Sequence, residues 1–220
     1  NFCSIIKNMK HQGWNWKEIK EERWDTPAEE VYYLLNRWKE QGKSRFLDLG
    51  CGRGRHSIFF AKHGFEVYAT DISESGIEIL KEKAKVQNLN INAEVCDMHN
   101  LPYPDEFFDC ILAFHVIYHT NREGIRRVIS EVYRVLKKDG ECFLTFNSKF
   151  SKSFNNPNNI FLEDGTVIKK EGIEAGIPHY YVDREEVLEL MNNFEIISFK
   201  YVEDILPKRS NKFFILATKK

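Results

Sequence analysis

The run from Phe46 to Gly54, FLDLGCGRG, constrains the fold more than any other stretch of the chain. Its first residues are typical of a buried strand, and glycines at positions 50, 52 and 54 predict a tight turn that leads into a helix. Glycine has no Cβ, so a ligand can approach the turn closely, and the free N–H groups of the following helix point toward it. The run therefore predicts a nucleotide-type pocket at the carboxyl edge of a parallel sheet.

The spacing of these glycines bears on which nucleotide is bound. The pattern is GxGxG, whereas the dinucleotide fingerprint needs its third glycine at the position of Arg55. Asp71 ends the second hydrophobic run, 21 residues after Gly50. A carboxylate at that distance accepts hydrogen bonds from both ribose hydroxyls. The GxGxG spacing therefore weakens the hypothesis of a nicotinamide-dependent oxidoreductase. The sequence also shows no evident set of residues for hydride transfer.

Hydrophobic strands alternate with helices along most of the chain. The strands are predicted at 45–49, 66–70, 91–95, 109–114 and 141–146. Capping boxes at Thr26–Glu29 and Thr120–Glu123, and caps at Ser73 and Asp183, predict the starts of helices. The alternation predicts an α/β protein with a doubly wound parallel sheet and right-handed crossovers.

Both ends of the chain add to this pattern. The segment WNWKEIKEERW at 14–24 predicts a short amphipathic helix, and we assign residues 1–42 to an N-terminal helical flap. Near the other end, two apolar strands, Phe194–Val202 and Phe213–Thr218, are joined through Pro207 without an obvious helix. Such a connection predicts an antiparallel hairpin.

Residues 148–180 interrupt the alternation. Asp164-Gly165 between two apolar pairs predicts a tight hairpin within them. Because the insertion follows the fifth strand, it emerges at the edge of the sheet where ligands bind. Long insertions at that edge are usually lids, so we assign 148–180 to substrate recognition.

Composition limits the remaining choices. A chain of 220 residues fits one domain, 1–220, and its net charge of −1 with interspersed signs gives no sign of a nucleic-acid-binding face. No apolar stretch reaches 18 residues, and NFCSIIKNMKHQ is not a signal peptide, so we expect a cytoplasmic protein without a membrane span. The five cysteines form no CxxC pair and no histidine cluster has metal-binding spacing, so we expect free thiols and no metal site.

Four ordered motifs resemble one enzyme family. They are LDLGCGRGR, VYATDIS, EVCDMHNLPYPDEFFDCILAFHVIYH and RVLKKDGE, within residues 44–147. Together they resemble the class I S-adenosylmethionine (SAM) dependent methyltransferases, most closely the small-molecule branch called type 11. The resemblance implies a Rossmann-like, seven-stranded, mostly parallel sheet with a reversed edge strand. It also implies SAM as cofactor and S-adenosylhomocysteine as product.

The resemblance assigns cofactor contacts to positions that match the motifs. The glycine turn would lie beneath the methionine part of SAM, with Asp48 near its amino group. Asp71 would hold the ribose hydroxyls, and Asp97 would accept the adenine amino proton. The full set is Asp48, Gly50, Cys51, Gly52, Gly54, Asp71, Ile72, Asp97, Met98, Phe114 and His115.

Methyl transfer from SAM is an in-line displacement that depends mainly on positioning and the exclusion of water. A general base helps when the acceptor is a hydroxyl or a protonated amine. His115, Tyr118, His119, His179 and Tyr181 are the candidates for that role, and we select His115, His179 and Tyr181. His115 lies best, at the end of the fourth strand, whereas His119 precedes a helix cap, which favours a structural role.

The acceptor remains open among several classes. We expect a small molecule methylated at oxygen, nitrogen or sulfur, acted on by a monomer or homodimer without nucleic acid. FHVIYH after the fourth strand differs from the Asn/Asp-Pro-Pro-Tyr/Phe of amino-group methylases, which disfavours exocyclic or amide nitrogens. The stretch AFHVIYHTNREGIRRVISEVYRVLKKDGE also resembles the methylase domain of tRNA wobble-uridine enzymes, and a non-catalytic SAM-binding protein is a further alternative.

Overall fold

The computed structural model describes residues 13–205 and 210–220, and one large sheet organises them. The predictions for Cys3, for residues 1–12 of the flap and for Pro207 concern positions outside the described residues. In chain order, the strands are β1 (Arg45–Leu49), β2 (Glu66–Asp71), β3 (Ile91–Val95), β4 (Phe108–Ala113), β5 (Leu136–Ser148), β6 (Ile160–Phe161), β7 (Thr166–Ile168), β8 (Pro178–Val182), β9 (Phe194–Asp204) and β10 (Ser210–Lys219).

The sheet has the predicted α/β architecture. Strands β3, β2, β1, β4 and β5 are parallel neighbours in that order, which confirms the doubly wound sheet. Strand β10 runs antiparallel to both β5 and β9, so the C-terminal hairpin forms as predicted. The reversed strand is nevertheless not at the edge: β10 lies between β5 and β9, because its apolar residues are buried on both faces while β9 is mostly exposed.

Five α-helices connect these strands among the described residues. They are α1 (Glu29–Glu40), α2 (Arg55–Lys62), α3 (Glu74–Val86), α4 (Arg122–Val135) and α5 (Arg184–Leu190). The predicted caps of α3 and α5 are confirmed, because Ser73 accepts the Gly76 N–H at 3.1 Å and Asp183 forms a reciprocal capping box with Glu186. Apolar side chains of the helices pack on the sheet and place the ends of its parallel strands at a common edge.

Two predicted capping boxes do not form. Helix α1 begins after Ala28 rather than Thr26, because the Ala28 N–H donates to Nε2 of His56 at 3.3 Å, a partner from a distant helix. Helix α4 is capped by Asn121 rather than Thr120, whose hydroxyl lies 2.9 Å from a histidine ring. In both cases a long-range contact replaces the local one that the sequence indicates.

The insertion after β5 adds three short strands. Strands β6 and β7 form the hairpin predicted at Asp164-Gly165, and β7 pairs antiparallel with β8. Strand β8 also runs parallel to the last two residues of β5, beyond the point where β4 ends. The N–H of Tyr180 donates to the carbonyl of Tyr118 at 2.9 Å. The sheet therefore has ten strands rather than seven, with the insertion joined to its ligand-binding edge.

Candidate active site

A cavity of about 930 Å³ lies at the carboxyl edge of the parallel strands. The glycine turn, the segments after β2, β3 and β4, the insertion and the N-terminal segment all contribute to its wall. Nine of the predicted cofactor residues line it: Gly50, Cys51, Gly52, Asp71, Ile72, Asp97, Met98, Phe114 and His115. These nine residues, which come from separate motifs of the sequence, therefore line the same cavity.

The glycine turn needs glycine for two reasons. Gly50 and Gly52 have φ values of +70° and +55°, which side chains rarely tolerate. A Cβ on Gly50 would lie 2.2 Å from the Cγ2 of Val116, and one on Gly52 would lie 2.5 Å from the ring of Trp16. The turn therefore brings the backbone into direct contact with groups in the cavity wall.

Asp71 closes the turn from the end of β2. Its Oδ2 accepts the Gly52 N–H at 2.7 Å, and its Oδ1 accepts the Ser73 N–H at 2.8 Å. Burial raises the pKa of this carboxyl, and these backbone donors oppose the shift. Each carboxylate oxygen can accept a further hydrogen bond, so Asp71 can still receive a pair of hydroxyls.

Asp97, after β3, is held in a similar way. Its Oδ1 accepts the His99 N–H at 2.9 Å and lies 2.5 Å from Nδ1 of the same residue. The other ring nitrogen of His99 contacts the hydroxyl of Thr120 at 2.9 Å, at the start of the segment before α4. This chain of contacts fixes the carboxylate at the cavity wall beside Met98.

His115 has an unusual conformation for its position. Its φ of +60° is costly for a residue with a Cβ, and its N–H donates to the hydroxyl of Thr145 at 2.6 Å. Burial lowers the pKa of the imidazole well below its ordinary value, so the ring is neutral near pH 7. Its Nε2 has no hydrogen-bond partner among the described residues. An imidazole that is neutral and has an unused nitrogen can accept a proton, although the lowered pKa makes it a weaker base than an ordinary histidine.

Two predicted cofactor residues lie behind the wall rather than in it. Asp48 is almost completely buried and accepts the Ser57 hydroxyl at 2.6 Å, and burial raises its pKa to about 6. Gly54 packs against helix α3, and a Cβ at this position would lie only 2.2 Å from Cδ1 of Leu80. Both positions support the turn from beneath.

Two predicted catalytic residues are also set back from the cavity. Tyr181 is buried and donates to the Ser153 hydroxyl at 3.0 Å. His179 is fully buried, and burial lowers its pKa to about 4. Strand β8 turns both side chains into the packing of the insertion, so neither lines the wall.

The N-terminal segment does not form the predicted helix. Residues 14–24 contain two short 3₁₀ turns, Trp16–Glu18 and Glu22–Trp24, because three tryptophan rings cluster with centroids 5.2 to 5.6 Å apart over the cavity. Arg53 of the glycine turn donates to the carbonyls of Ile19 and Glu21 and pairs with Asp25 at 2.7 Å. Its guanidinium therefore anchors this segment.

The structure brings further polar groups into the wall that the sequence analysis did not select. They are His56, Asn147, Ser151, Lys169, Glu174 and Lys212, together with His119, whose position before a helix cap had favoured a structural role. His119 and Glu174 are 55 positions apart and meet at 3.1 Å. No local motif carries that contact; the only available signal was the prediction that residues 148–180 reach this edge of the sheet.

A doubly wound sheet with a cavity at the carboxyl ends of β1 and β2 defines a Rossmann-like α/β protein. Within that class, residues 46–140 match a family model described as a methyltransferase domain. The match over residues 46–140 confirms the resemblance to class I methyltransferases for that part of the chain.

Relatives by sequence support the same family. A Geobacillus sp. (strain WCH70) protein provisionally named as a methyltransferase is 31% identical over 139 residues, 62% of this chain and 56% of the relative. A ubiquinone biosynthesis O-methyltransferase of Coxiella burnetii is 36% identical over 105 residues, 47% of this chain and 44% of the relative. The chain spans about half the length of these curated relatives.

Solved structures share the fold over most of the chain. A Pyrococcus horikoshii protein superimposes with a TM-score of 0.71 at 22% identity, covering 95% of this chain and all of that one. A Burkholderia thailandensis 1,6-didemethyltoxoflavin-N1-methyltransferase, solved with its substrate and S-adenosylhomocysteine, has a TM-score of 0.68 at 15% identity, covering 100% of this chain and 89% of that one. Among the described residues of our chain, no helix has the length and apolarity to cross a membrane.

Proposed function

We propose that the protein transfers a methyl group from SAM to a small-molecule oxygen, nitrogen or sulfur acceptor. The observation that carries the proposal is the convergence of Gly52, Asp71 and Asp97 from three successive strands on one cavity wall. When bound, SAM supplies an electrophilic methyl group on a sulfonium, and the protein has to position the acceptor and exclude water.

The cavity wall has the chemistry that this cofactor needs. Asp71 offers acceptors for two ribose hydroxyls, and Asp97 offers one for an adenine amino group. The indole N–H groups of Trp14 and Trp24 are buried without partners among the described residues, although both residues line the cavity. Buried donors are nearly always paired, so two orphans here favour a ligand with acceptor groups, such as a carboxylate.

His115 is our proposed general base. Its neutral ring lies in the wall and its Nε2 is unpaired, whereas His179 and Tyr181 are set back from the wall. We retain these two as residues that shape the acceptor side. His115 would take the proton from a hydroxyl acceptor, and an acceptor that arrives deprotonated would not need it.

Several features favour a small acceptor over tRNA. The insertion at 148–180, which we propose as the lid, supplies Lys169, Glu174 and Pro178 to the cavity wall. A net charge of −1 provides no excess of positive charge for a phosphate backbone. One relative is named a ubiquinone biosynthesis O-methyltransferase, and one structural neighbour is named a 1,6-didemethyltoxoflavin-N1-methyltransferase; both names refer to small molecules.

The remaining organisation is proposed on the same basis. We propose one domain, with residues 13–42 as the described part of a flap beside SAM, formed by two 3₁₀ turns and α1. Cys51, Cys110 and Cys142 are buried as free thiols, which fits a reducing compartment such as the cytoplasm.

Replacement of the ribose-binding carboxylate tests the proposal. Asp71→Asn should weaken S-adenosylhomocysteine binding by about 1–3 kcal/mol, because charge-assisted hydrogen bonds are lost. Isothermal titration calorimetry measures this change, with thermal melting as the check on folding. Asp105→Asn is the matched control, since Asp105 lies in a surface ion pair with Arg134.

Wild-type protein that binds no adenosyl compound, or that binds a nicotinamide dinucleotide in preference, would contradict the proposal. Equal affinity in wild type and Asp71→Asn would remove Asp71 from the ribose site without removing the activity.

A further inference from the structure

A second group of reactive side chains lies on the lid side of the cavity. We call it the His–Glu–His cluster: His119 follows β4, and Glu174 and His179 belong to the insertion. Nε2 of His119 lies 3.1 Å from Oε1 of Glu174, and Nε2 of His179 lies 3.2 Å from Oε2. One donor atom from each residue falls within 4.8 Å of the others. The three groups thus form a compact set of nitrogen and oxygen ligands.

The hydrogen bonding of His179 leaves one of its ring nitrogens without a partner among the described residues. Its Nδ1 lies 2.9 Å from the carbonyl of Ile177, and a carbonyl only accepts, so Nδ1 carries the hydrogen. In the neutral ring, Nε2 then presents a lone pair. This nitrogen is buried, faces the carboxylate of Glu174 and has no hydrogen-bond partner among the described residues. Two acceptors this close repel unless a proton or a metal cation lies between them, and a metal cation would also engage the nearby His119.

Lys169 does not resolve this conflict. Its ammonium contacts Oε2 of Glu174 and balances the negative charge of the carboxylate. It does not donate to Nε2 of His179, however, so this buried lone pair has no donor among the residues that the structure describes. A histidine whose Nδ1–H is fixed by a backbone carbonyl and whose Nε2 faces a carboxylate has the arrangement found in metal ligands.

We propose that the His–Glu–His cluster binds a divalent transition-metal cation such as Zn²⁺. Two imidazoles with one carboxylate suit Zn²⁺ and Fe²⁺, and three protein ligands leave a coordination position open. His119 and Glu174 line the cavity while His179 lies behind them, so the open position faces the cavity. The inference concerns binding alone and does not depend on the proposed methyl transfer.

Sequence spacing could not reveal such a site. His119 lies 55 positions before Glu174, and the two lid ligands are separated by residues 175–178 and do not share a helix. The prediction of no metal site rested on the spacing of residues along the chain. The ligands come together only because the insertion folds onto the segment after β4.

Cobalt titration tests this site directly. Protein without a histidine tag is treated with a chelator, dialysed and titrated with Co²⁺, whose d–d absorption reports nitrogen and oxygen ligation. We expect one equivalent to bind and Zn²⁺ to displace it. Glu174→Gln, His119→Gln and His179→Gln should each weaken binding by about tenfold to a hundredfold or more, because each removes a direct ligand.

Two measurements separate loss of the site from loss of the fold. His63→Gln is the matched control, because His63 is exposed on the far end of α2 and should leave Co²⁺ affinity unchanged. Circular dichroism and S-adenosylhomocysteine titration report on the fold of each variant and on the proposed cofactor site separately. Wild-type protein that binds no stoichiometric Co²⁺, or folded variants that all bind it as wild type does, would overturn the inference.

Discussion

The two sides of the cavity are built by different means. On the cofactor side, Gly52 lies in the short turn after β1 and Asp71 is the last residue of the adjacent strand β2, and backbone N–H groups hold the carboxylate. On the lid side, His119 meets Glu174 and His179 of the insertion through side-chain contacts, although it lies 55 residues before Glu174 in sequence. A local arrangement of this kind leaves a sequence motif, and a long-range one does not.

This difference has a functional counterpart. In the proposed activity, the cofactor side binds one compound in one orientation, which the end of a Rossmann-like sheet provides through its backbone. The lid side has to recognise the acceptor, and insertions at this edge can change side chains without altering the sheet. The comparison therefore predicts that cofactor-side changes affect SAM binding and stability, whereas lid-side changes affect the acceptor or the metal.

The largest expected effect concerns His115, where the two sides meet. His115→Ala should lower the rate of transfer to a hydroxyl acceptor by about 10²–10⁴-fold if the ring is the base. S-adenosylhomocysteine affinity should change little, because the ring serves the acceptor. A small panel of phenols and hydroxy acids, with product detected by mass spectrometry, provides the acceptor, and His63→Ala is the control.

The pH dependence of the same reaction tests the state of the ring. Since burial lowers the pKa of His115 well below its ordinary value, the base should stay unprotonated as the pH falls from 7.5 to 6. The rate should therefore remain nearly constant over that interval in wild type. A rate that falls tenfold per pH unit there would assign the proton to another group.

The second effect concerns the stability of the glycine turn. Gly50→Ala should lower the free energy of unfolding by about 2–5 kcal/mol, because a left-handed φ and a clash with Val116 add together. Gly64 is a matched control: its φ is +89°, yet a Cβ there would meet nothing within 4 Å. Gly64→Ala should lower the free energy of unfolding by only about 1–2 kcal/mol. Equal losses in urea unfolding would show that close packing at Gly50 contributes nothing.

The smallest effect concerns the attachment of the lid. Lys149 lies 2.8 Å from Asp183 and 2.6 Å from Glu186, but about a third of its side chain is exposed. Lys149→Met should therefore lower the free energy of unfolding by less than about 1 kcal/mol. The hydrogen bond from Lys149 lowers the pKa of Asp183, so its stabilisation is present above the ordinary carboxyl pKa and is lost as the pH falls through the folded value.

Unfolding of wild type and Lys149→Met at pH 7 and pH 3 checks this sign. The difference between the two proteins should shrink at pH 3. A difference that grows on acidification would mean that Lys149 acts through a group other than these carboxylates.

The sequence predicted the parallel sheet, the C-terminal hairpin and most of the residues that line the glycine-turn side of the cavity, because strand periodicity and the glycine turn are local signals. It misplaced the start of α1, where Ala28 binds the distant His56, and it predicted a helix where Trp16 packs on Gly52. It also placed His179 and Tyr181 in the cavity, whereas β8 directs both into the insertion. These errors share a cause: a tertiary contact determined the outcome, and single-sequence patterns do not record such contacts.

The anchoring of the N-terminal segment by Arg53 has a consequence for protein engineering. The guanidinium is nearly enclosed, and its acceptors are two carbonyls and one carboxylate from residues 19–25. Grafting residues 45–64 onto another scaffold would transfer this cation without its counterion and leave a desolvated charge beside the binding loop. Residues 45–64 therefore cannot be transferred alone. A graft should also include the tryptophan-containing N-terminal segment that encloses the arginine.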